Sequence, residues 1–337
     1  MTGGCGFVGS NVAARLMAAG EHVLVCDNLC RTGSAANLAW LRGLGPIEFV
    51  HVDVRSSSGV DALIASVRPD AIFHLAGQVA MTTSVNDPRL DFETNALGSF
   101  NLLDAVRRIV PAAVVVYASS NKSYGDLSSV ALREAPTRYW APGHPDGIDE
   151  SAPLDLQTPY GCSKGAADQY MLDFARVYGM NTVVFRHSTM YGGRQFATFD
   201  QGWVGWFCQQ AALVKKEPGR EPFTIAGDGK QVRDLLYVDD AVDAYLAAAD
   251  HIGAARGQVF NIGGGMANSS SLLELFGQLE AHFGVTLLYR RLPWRLSDQR
   301  FFVADNRKAQ RLLGWAPRVD KVTGVARMIA WTEALGS

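Results

Sequence analysis

Short apolar runs rich in β-branched residues alternate along the chain with longer segments in which apolar residues recur at helical spacing. This alternation is typical of crossover units on a parallel sheet, and it predicts a doubly wound α/β fold. The predicted strands are His22–Cys26, Glu48–Val52, Ala71–Leu75, Ala113–Ala118, Thr182–Arg186 and Val259–Ile262. The predicted helices lie near Asn11–Ala18, Gly59–Val67, Arg89–Arg108, Pro159–Tyr178 and Asp239–Ala249.

The pattern loosens after about His187. An aromatic stretch, Trp203 to Phe207, is followed by a predicted helix near Ser270–Phe283 and a final helical part that ends at Ser337. The aromatic spacing favours core packing over contact with a ligand. We therefore expect a smaller second lobe that caps the sheet.

Composition narrows the possible partners. A formal net charge of -2 gives no electrostatic signature for nucleic acid or for an acidic membrane surface, which favours a small-molecule partner. The apolar run Val110–Ala118 is far shorter than the roughly 20 residues that cross a bilayer.

The chain opens without a signal-like segment, and its five cysteines are scattered, so we expect a cytoplasmic protein with reduced thiols. Cys26 and Cys30 lack a second ligand pair, so we expect buried thiols and no metal site.

A glycine-rich turn opens the chain. Glycines at positions 3, 6 and 9 allow a tight turn that brings backbone N–H groups to a pyrophosphate at a helix N-terminus. A turn without a ligand role is the alternative. About 20 residues later Asp27 ends a strand, where its carboxylate is placed to accept a bond from a ribose 2′-hydroxyl and to repel a 2′-phosphate. This favours NAD over NADP, although Arg31 nearby weakens the preference, and a solvated loop aspartate is the alternative for Asp27.

Tyr160 and Lys164 are the clearest catalytic candidates. Residues four apart share one face of a helix, so their spacing places an ammonium beside a phenol, although by itself this spacing also occurs by chance in a surface pair. For Tyr160 to act as a base near neutral pH, its pKa must fall by roughly three units, which a nearby cation favours. Ser120 closes a strand at the expected ligand edge of the sheet and is placed to orient a substrate oxygen.

These motifs together carry a family resemblance. Thr2–Gly9, His74–Gly77, the Ser120 segment and Tyr160 with Lys164 resemble the extended short-chain dehydrogenase/reductase family, the NAD-dependent epimerases and dehydratases that act on nucleotide sugars. The resemblance implies a Rossmann-type NAD-binding domain formed by residues 1–187 and 236–262, and a substrate lobe formed by 188–235 and 263–337. Besides Tyr160 and Lys164, the NAD contacts that it implies are Gly3, Gly6, Phe7, Val8, Asp27, Asn28, Asp53, Val54, Leu75, Ala76 and Gly77. For Asp53, an ordinary turn at a strand end remains nearly as good an interpretation.

A narrower similarity concerns three segments. Ala76–Ser84, Tyr160–Tyr170 and Arg186–Phe196 resemble epimerases that invert C2 of a CDP-linked deoxyhexose. The resemblance implies a reversible redox cycle with NAD, in which Tyr160 takes the hydroxyl proton, Lys164 lowers the pKa of Tyr160 and binds the nicotinamide ribose, and Ser120 polarises the sugar oxygen.

The resemblance also implies substrate contacts in both lobes. Arg233, in a segment that resembles the family's diphosphate-binding segment, is the first choice for the nucleotide diphosphate. The other expected contacts are Gln78, Thr82, Asn121, Lys122, His187, Arg194, Arg295, Asp298 and Arg300. For each arginine a surface ion pair is the alternative, and His187 fits a hydrogen-bonded core residue better than a catalyst.

Neighbouring functions differ in their residue requirements. The family's 4,6-dehydratases carry an Asp–Glu pair after the active-site hydroxyl residue, whereas this chain has Asn121 and Lys122. Dehydration is therefore disfavoured, a UDP-sugar 4-epimerase remains the main alternative, and a non-catalytic NAD-binding protein fits the complete Ser, Tyr and Lys set poorly. The helices Arg89–Arg108 and Pro159–Tyr178 resemble those of the family's dimer interface, so we expect a homodimer or homotetramer.

One feature departs from the family pattern. The glycine motif normally follows a first β-strand, and here Met1 stands where that strand should end. We expect either a start codon assigned downstream of the true one or a gap in the sheet. Because unpaired buried backbone groups cost about 1–3 kcal/mol each, we predict lower stability and weaker NAD binding than in a chain extended upstream by a hydrophobic strand.

Overall fold

A computed structural model describes residues 1–335; the predicted end of the last helix at Ser337 lies outside the described residues. The helices are α1 (Phe7–Ala18), α2 (Ser34–Leu44), α3 (Ser57–Val67), α4 (Met81–Asn86), α5 (Pro88–Asp91), α6 (Gly98–Ile109), α7 (Thr158–Tyr178), α8 (Trp203–Lys216), α9 (Val238–Asp250), α10 (Ile252–Ala255), α11 (Leu272–Phe283), α12 (Arg307–Leu313) and α13 (Lys321–Leu335). A π-helical turn, Phe92–Leu97, joins α5 to α6, and 3₁₀ turns occupy Asn121–Tyr124 and Met266–Asn268.

The strands fall into one large parallel sheet and several small ones. They are β1 (Leu24–Asp27), β2 (Glu48–His51), β3 (Ala71–His74), β4 (Val114–Ser120), β5 (Arg133–Glu134), β6 (Tyr139–Trp140), β7 (Asn181–His187), β8 (Thr189–Tyr191), β9 (Phe223–Ala226), β10 (Val232–Tyr237), β11 (Gln258–Ile262), β12 (Ser269–Ser271), β13 (Tyr289–Leu292) and β14 (Phe301–Phe302). All six predicted strands lie in the large sheet, where β1 pairs with β2 and where β3, β4, β7 and β11 are consecutive parallel neighbours. The predicted fold class is confirmed.

Thr2 connects the two parts of this sheet. It forms isolated parallel bridges with Cys26 of β1 and His74 of β3. Its N–H donates to the Phe73 carbonyl at 3.2 Å, and the N–H of Cys26 donates to the Met1 carbonyl at 2.7 Å. Hydrogen bonds of Met1 and Thr2 therefore connect β1 to β3 at the position where the first strand was expected. The lower stability relative to a chain extended upstream stays a prediction.

Helices cover both faces of the large sheet. Successive side chains of a strand point to opposite sides, so a strand with apolar side chains on both sides needs helices on both faces. In β4, Val115 and Tyr117 pack into the cluster formed with α3, α6 and α7, whereas Val116 packs with α1 and α9. Burial on both faces explains why these strands appear in the sequence as nearly continuous apolar runs.

The second group of strands is centred on β10. This strand pairs with β8 and β14 in parallel and with β12 antiparallel, and β9 pairs with β13 beside it. The predicted domain boundaries stay a prediction. No helix among residues 1–335 is long and apolar enough to span a membrane. Cys26 is buried as expected, but Cys30 is exposed because it lies in the loop after β1.

Candidate active site

A cleft of about 730 Å³ opens along the carboxyl ends of the parallel strands, as expected for a doubly wound sheet. It brings together all the predicted catalytic and NAD-binding residues and most of the predicted substrate contacts. The substrate contacts that line it are Gln78, Asn121, Lys122, His187, Arg194, Arg233, Arg295 and Asp298.

The glycine turn forms one end of the cleft. Gly3 has φ +65°, and a Cβ there would lie 2.5 Å from the backbone nitrogen of Ala76, so any larger residue would displace the loop after β3. Gly6 is the N-cap of α1, and no side chain caps the helix. The amides of Phe7 and Val8 therefore begin the helix without intrahelical partners and face a cleft suited to a pyrophosphate.

Two carboxylates follow the turn along the same wall. Asp27 accepts backbone hydrogen bonds from Leu29 at 2.8 Å and Cys5 at 3.0 Å, while burial raises its pKa. Asp53 accepts bonds from the Arg55 side chain and from Asn28, and those from Arg55 contribute most to lowering its pKa to about 2. The turn, its free amides and Asp27 fit the phosphates and ribose of NAD. Asp53 is already well supplied with donors.

Ser120, Tyr160 and Lys164 meet deeper in the cleft. Ser120 ends β4, and Tyr160 and Lys164 lie one turn apart on α7. The Lys164 ammonium donates to the carbonyl of Ala118 at 3.0 Å and lies 5.1 Å from the centre of the Tyr117 ring.

In the protein alone the pKa of Tyr160 is raised, whereas its proposed role as a base requires a lowered pKa. Burial raises it to about 12, while the Ser120 hydroxyl lowers it and Asp91 raises it further. Burial lowers the pKa of Lys164 to about 8, and Asp91 opposes that effect. Desolvation of the phenolate thus outweighs the hydrogen bond, and a cation close to Tyr160 is needed for it to act as a base near neutral pH.

A group of three cations faces the cleft from its other wall. Asp298 Oδ1 lies 2.9 Å from Arg233 Nη2 and 3.4 Å from Lys122 Nζ, and Arg295 contributes a further positive charge nearby. Burial lowers the pKa of Lys122 to about 8. Three cations around one carboxylate leave a surplus of positive charge, which is suited to a diphosphate.

Several predicted substrate contacts have other partners. Gln78 donates to the Ala80 carbonyl at 2.8 Å and to Asp91 at 3.0 Å, so its side-chain amide is occupied within the protein. His187 Nε2 bonds the Tyr245 hydroxyl at 2.7 Å, and burial lowers its pKa to about 3, which supports the interpretation as a core residue. The Arg194 guanidinium lies between two tryptophan rings, 4.5 Å from Trp40 and 4.3 Å from Trp331.

Two predicted substrate contacts are not brought to the cleft. Thr82 lies on α4 between residues that line it, but its hydroxyl is buried without a hydrogen-bond partner. Arg300 does not line the cleft, and its guanidinium lies 5.5 Å from the centre of the Tyr139 ring and 5.4 Å from that of Trp294. Local sequence resemblance does not determine the direction of a side chain after folding.

A buried polar group lies next to the reactive residues and was not predicted from the sequence. Asp91 accepts hydrogen bonds from Gln78, Asn95 and Ser163, and all four residues are buried. Asp91, Asn95 and Ser99 recur every four residues on the inward face of the predicted helix Arg89–Arg108. Polar residues at helical spacing among apolar core positions were the signal that could have identified this group.

Comparison with known proteins establishes the class. Residues 1–263 match the NAD dependent epimerase/dehydratase family, and the chain belongs to this family. It is 52% identical over 335 residues to CDP-paratose 2-epimerase from Salmonella typhi, with 99% of each chain covered. It is 31% identical to UDP-glucose 4-epimerase from Mycolicibacterium smegmatis, with 98% of this chain and 96% of that protein covered.

Solved structures of epimerases have the same fold as this chain. The crystal structure of UDP-glucose 4-epimerase with UDP-glucose from Thermotoga maritima superimposes with a TM-score of 0.82 and 29% identity, and covers 100% of this chain and 98% of that one. The Thermus thermophilus UDP-glucose 4-epimerase complex with NAD gives a TM-score of 0.80 at 29% identity, with 98% and 97% covered. The predicted family, the NAD cofactor and the epimerase class of enzyme are confirmed.

Proposed function

We propose that this enzyme inverts C2 of a CDP-linked deoxyhexose and so interconverts CDP-paratose and CDP-tyvelose. The observation that carries this specificity is the 52% identity, over 99% of both chains, to a protein named CDP-paratose 2-epimerase. The geometry of the cleft supports the chemistry: a reactive Ser, Tyr and Lys set lies between a pyrophosphate-binding turn and a cationic wall.

Each reactive side chain has a defined task in this proposal. Ser120 donates a hydrogen bond to the oxygen on C2, and Tyr160 accepts the proton of that hydroxyl and later returns it. NAD supplies a hydride acceptor and donor when it is bound. Lys164 provides the positive charge that stabilises the Tyr160 anion. The substrate is oxidised to a transient 2-ketose and reduced again on its other face, so no net redox change results.

The cationic wall holds the other end of the substrate. Lys122, Arg233 and Arg295 surround Asp298, and we assign their surplus charge to the diphosphate of the nucleotide. Anchoring the nucleotide there leaves the sugar free to turn within the cleft between the two hydride transfers.

UDP-sugar 4-epimerisation is the second candidate. The 31% identity to a UDP-glucose 4-epimerase and the same Ser, Tyr and Lys requirement favour it. Dehydration has less support, because Asn121 bonds the Gln299 side chain at 3.0 Å and Lys122 pairs with Asp298 at the positions where a dehydratase needs an acid and a base.

We also infer that the enzyme forms a homodimer or homotetramer through two helical segments, one that runs from α5 to α6 and one that is α7. Four aromatic side chains on these helices are exposed, namely Phe92, Phe100, Tyr170 and Tyr178. Ring contacts connect Phe100 to Tyr170 and, through Phe174, to Tyr178, and a contiguous apolar surface on a folded protein commonly marks an interface. The five free cysteines are consistent with a cytoplasmic location.

Incubation with a panel of CDP-, UDP-, GDP- and dTDP-linked sugars, followed by NMR, tests the proposed function. We expect inversion at C2 of a CDP-linked 3,6-dideoxyhexose and no turnover of UDP-glucose. Inversion of UDP-glucose at C4 would assign the enzyme to the second candidate.

A further inference from the structure

A buried carboxylate, for which no ion pair within 4 Å is found among residues 1–335, lies behind α7, the helix that carries Tyr160 and Lys164. Asp91, the last residue of α5, is 0% exposed. It accepts hydrogen bonds from Gln78 Nε2 at 3.0 Å, from Asn95 Nδ2 at 3.2 Å and from the Ser163 hydroxyl. None of these donors is a cation. Burial raises the pKa of Asp91, while the Ser163 hydroxyl, the Lys164 ammonium and the amides of Gln78 and Asn95 lower it. A carboxylate placed this deep therefore needs a compensating charge nearby to stay ionised.

Lys164 lies close to this group. A Cβ on Gly77 would lie 2.9 Å from Lys164 Nζ and 3.0 Å from Asn95 Oδ1, so the ammonium and the amide flank the same backbone position. Ser163, which donates to Asp91, directly precedes Lys164 on α7. The carboxylate is thus connected to the reactive turn both through the chain and through space.

The other groups around the ammonium do not offset its burial. The titratable side chains that interact with Lys164 are His74 on β3, Tyr117 on β4, His187 on β7 and Asp91, and Tyr160 lies one turn before it on α7. Burial lowers the pKa of each histidine to about 3, so both are neutral at pH 7. Burial raises the pKa of Tyr117 well above its ordinary value and that of Tyr160 to about 12. Among residues 1–335, Asp91 is the negative charge that favours the ammonium form of Lys164.

We propose that Asp91 is a positioning residue of the reactive centre, whose carboxylate keeps Lys164 in its ammonium form and, through Ser163, fixes the turn that carries Tyr160 and Lys164. Asp91 acts through these neighbours and does not touch the substrate. The inference rests on the proposed role of Lys164 in stabilising the Tyr160 anion.

Asp91→Asn removes the charge and can keep the hydrogen bonds. The new amide oxygen accepts from Gln78 and Asn95, and the new amide nitrogen donates to the Ser163 hydroxyl, which can still donate to the Tyr160 carbonyl at 3.2 Å. The chain has seven lysines, so ¹³Cε-lysine NMR of the NAD-bound protein resolves Lys164 by comparison with Lys164→Arg. We expect the titration midpoint of Lys164 to fall by about one unit or more in Asp91→Asn.

Two variants separate charge from packing. Ser163→Ala removes a hydrogen bond but keeps the carboxylate, so the Lys164 midpoint should move less than in Asp91→Asn. Asp104→Asn, a surface residue of α6 paired with Arg107 and Arg108, should leave it in place. If Asp91→Asn fails to fold, the smaller Asp91→Ser, which leaves room for water, replaces it.

The alkaline limb of the pH profile of kcat, which reports the substrate-bound enzyme and not the loss of binding through Lys122, should move to lower pH by the same amount as the Lys164 midpoint. An unchanged midpoint in Asp91→Asn, or an equal shift in Ser163→Ala, would overturn the proposal. The titration does not depend on the sugar, so a wild-type enzyme that inverts no CDP-sugar would refute the proposed function and leave the role of Asp91 to be decided by NMR.

Discussion

The ammonium of Lys122, just after β4, lies 3.4 Å from Oδ1 of Asp298, which is 176 residues further along the chain. The same oxygen accepts a hydrogen bond from Arg233 at 2.9 Å. The carboxylate therefore holds two cations at the cleft wall and neutralises only one of them. This arrangement keeps a positive site in place for an anionic ligand.

Arg233→Met should weaken nucleotide-sugar binding with little effect on the chemical step. Loss of a charged hydrogen-bond donor to a phosphate costs about 1.5–3 kcal/mol, so KM should rise by roughly tenfold or more. Lys230→Met, which removes a cation paired with the exposed Glu134, is the matched control and should leave KM unchanged. A fall in kcat with an unchanged KM would place Arg233 in the reactive centre.

Affinity for the nucleotide should fall as pH rises through about 8. Burial lowers the pKa of Lys122 from 10.5 to about 8, so this cation loses its proton well before an ordinary lysine does. Titration of CDP binding by calorimetry between about pH 7 and about pH 9 measures the effect, since most of the change falls in that interval. In Lys122→Met the dependence should flatten; a dependence that persists there would implicate another group.

Tyr160→Phe should abolish turnover while NAD affinity stays within a few fold. The ring still packs, but the group that carries the proton is absent, and general acid–base catalysis typically contributes about 10²–10⁴-fold. Steady-state turnover and NAD titration of the variant check both halves. Residual activity above about a tenth, a barrier change below roughly 1.4 kcal/mol, would mean that Tyr160 is not the base.

Asp168→Asn should destabilise the fold strongly. Asp168 on α7 and Arg186 on β7 are 0% and 3% exposed, and their side chains meet at 2.7 Å. Breaking a buried ion pair costs about 3–5 kcal/mol because the remaining charge has no compensation. Asp173→Asn on the same helix, where the carboxylate is about half exposed, is the control and should unfold like the wild type in urea. Equal midpoints for the two variants would contradict this account.

Much of the fold could be predicted because the central strands β4 and β7 are buried on both faces and the apolar runs of the strands are short and regular. Several helices were missed, among them the short α4 and α10, and the two longest of these are α2 and α8. α2 has no clear apolar stripe, and α8 was interpreted only as an aromatic core stretch, although Trp203, Trp206 and Phe207 have helical spacing. That spacing was sufficient to predict α8.

The site could be predicted where chemistry follows from local motifs, as for the glycine turn and for Tyr160 with Lys164. It could not be predicted where a side chain finds a partner far away in the chain. Arg194 stacks on Trp40 and Trp331, and the Gln78 amide is taken up by Ala80 and Asp91. Such pairings depend on tertiary packing, which a resemblance between short motifs does not predict.

The position of an isotope tests the central claim most directly. The enzyme is incubated with CDP-paratose deuterated at C2, and the product is followed by NMR together with the absorbance of NADH. If the substrate's own hydride is returned to C2 from the other face, the product is inverted at C2 and still deuterated there, with no NADH released and no exchange with solvent. Inversion at C4 with C2 unchanged, or loss of the deuterium to water, would contradict the proposed 2-epimerase mechanism.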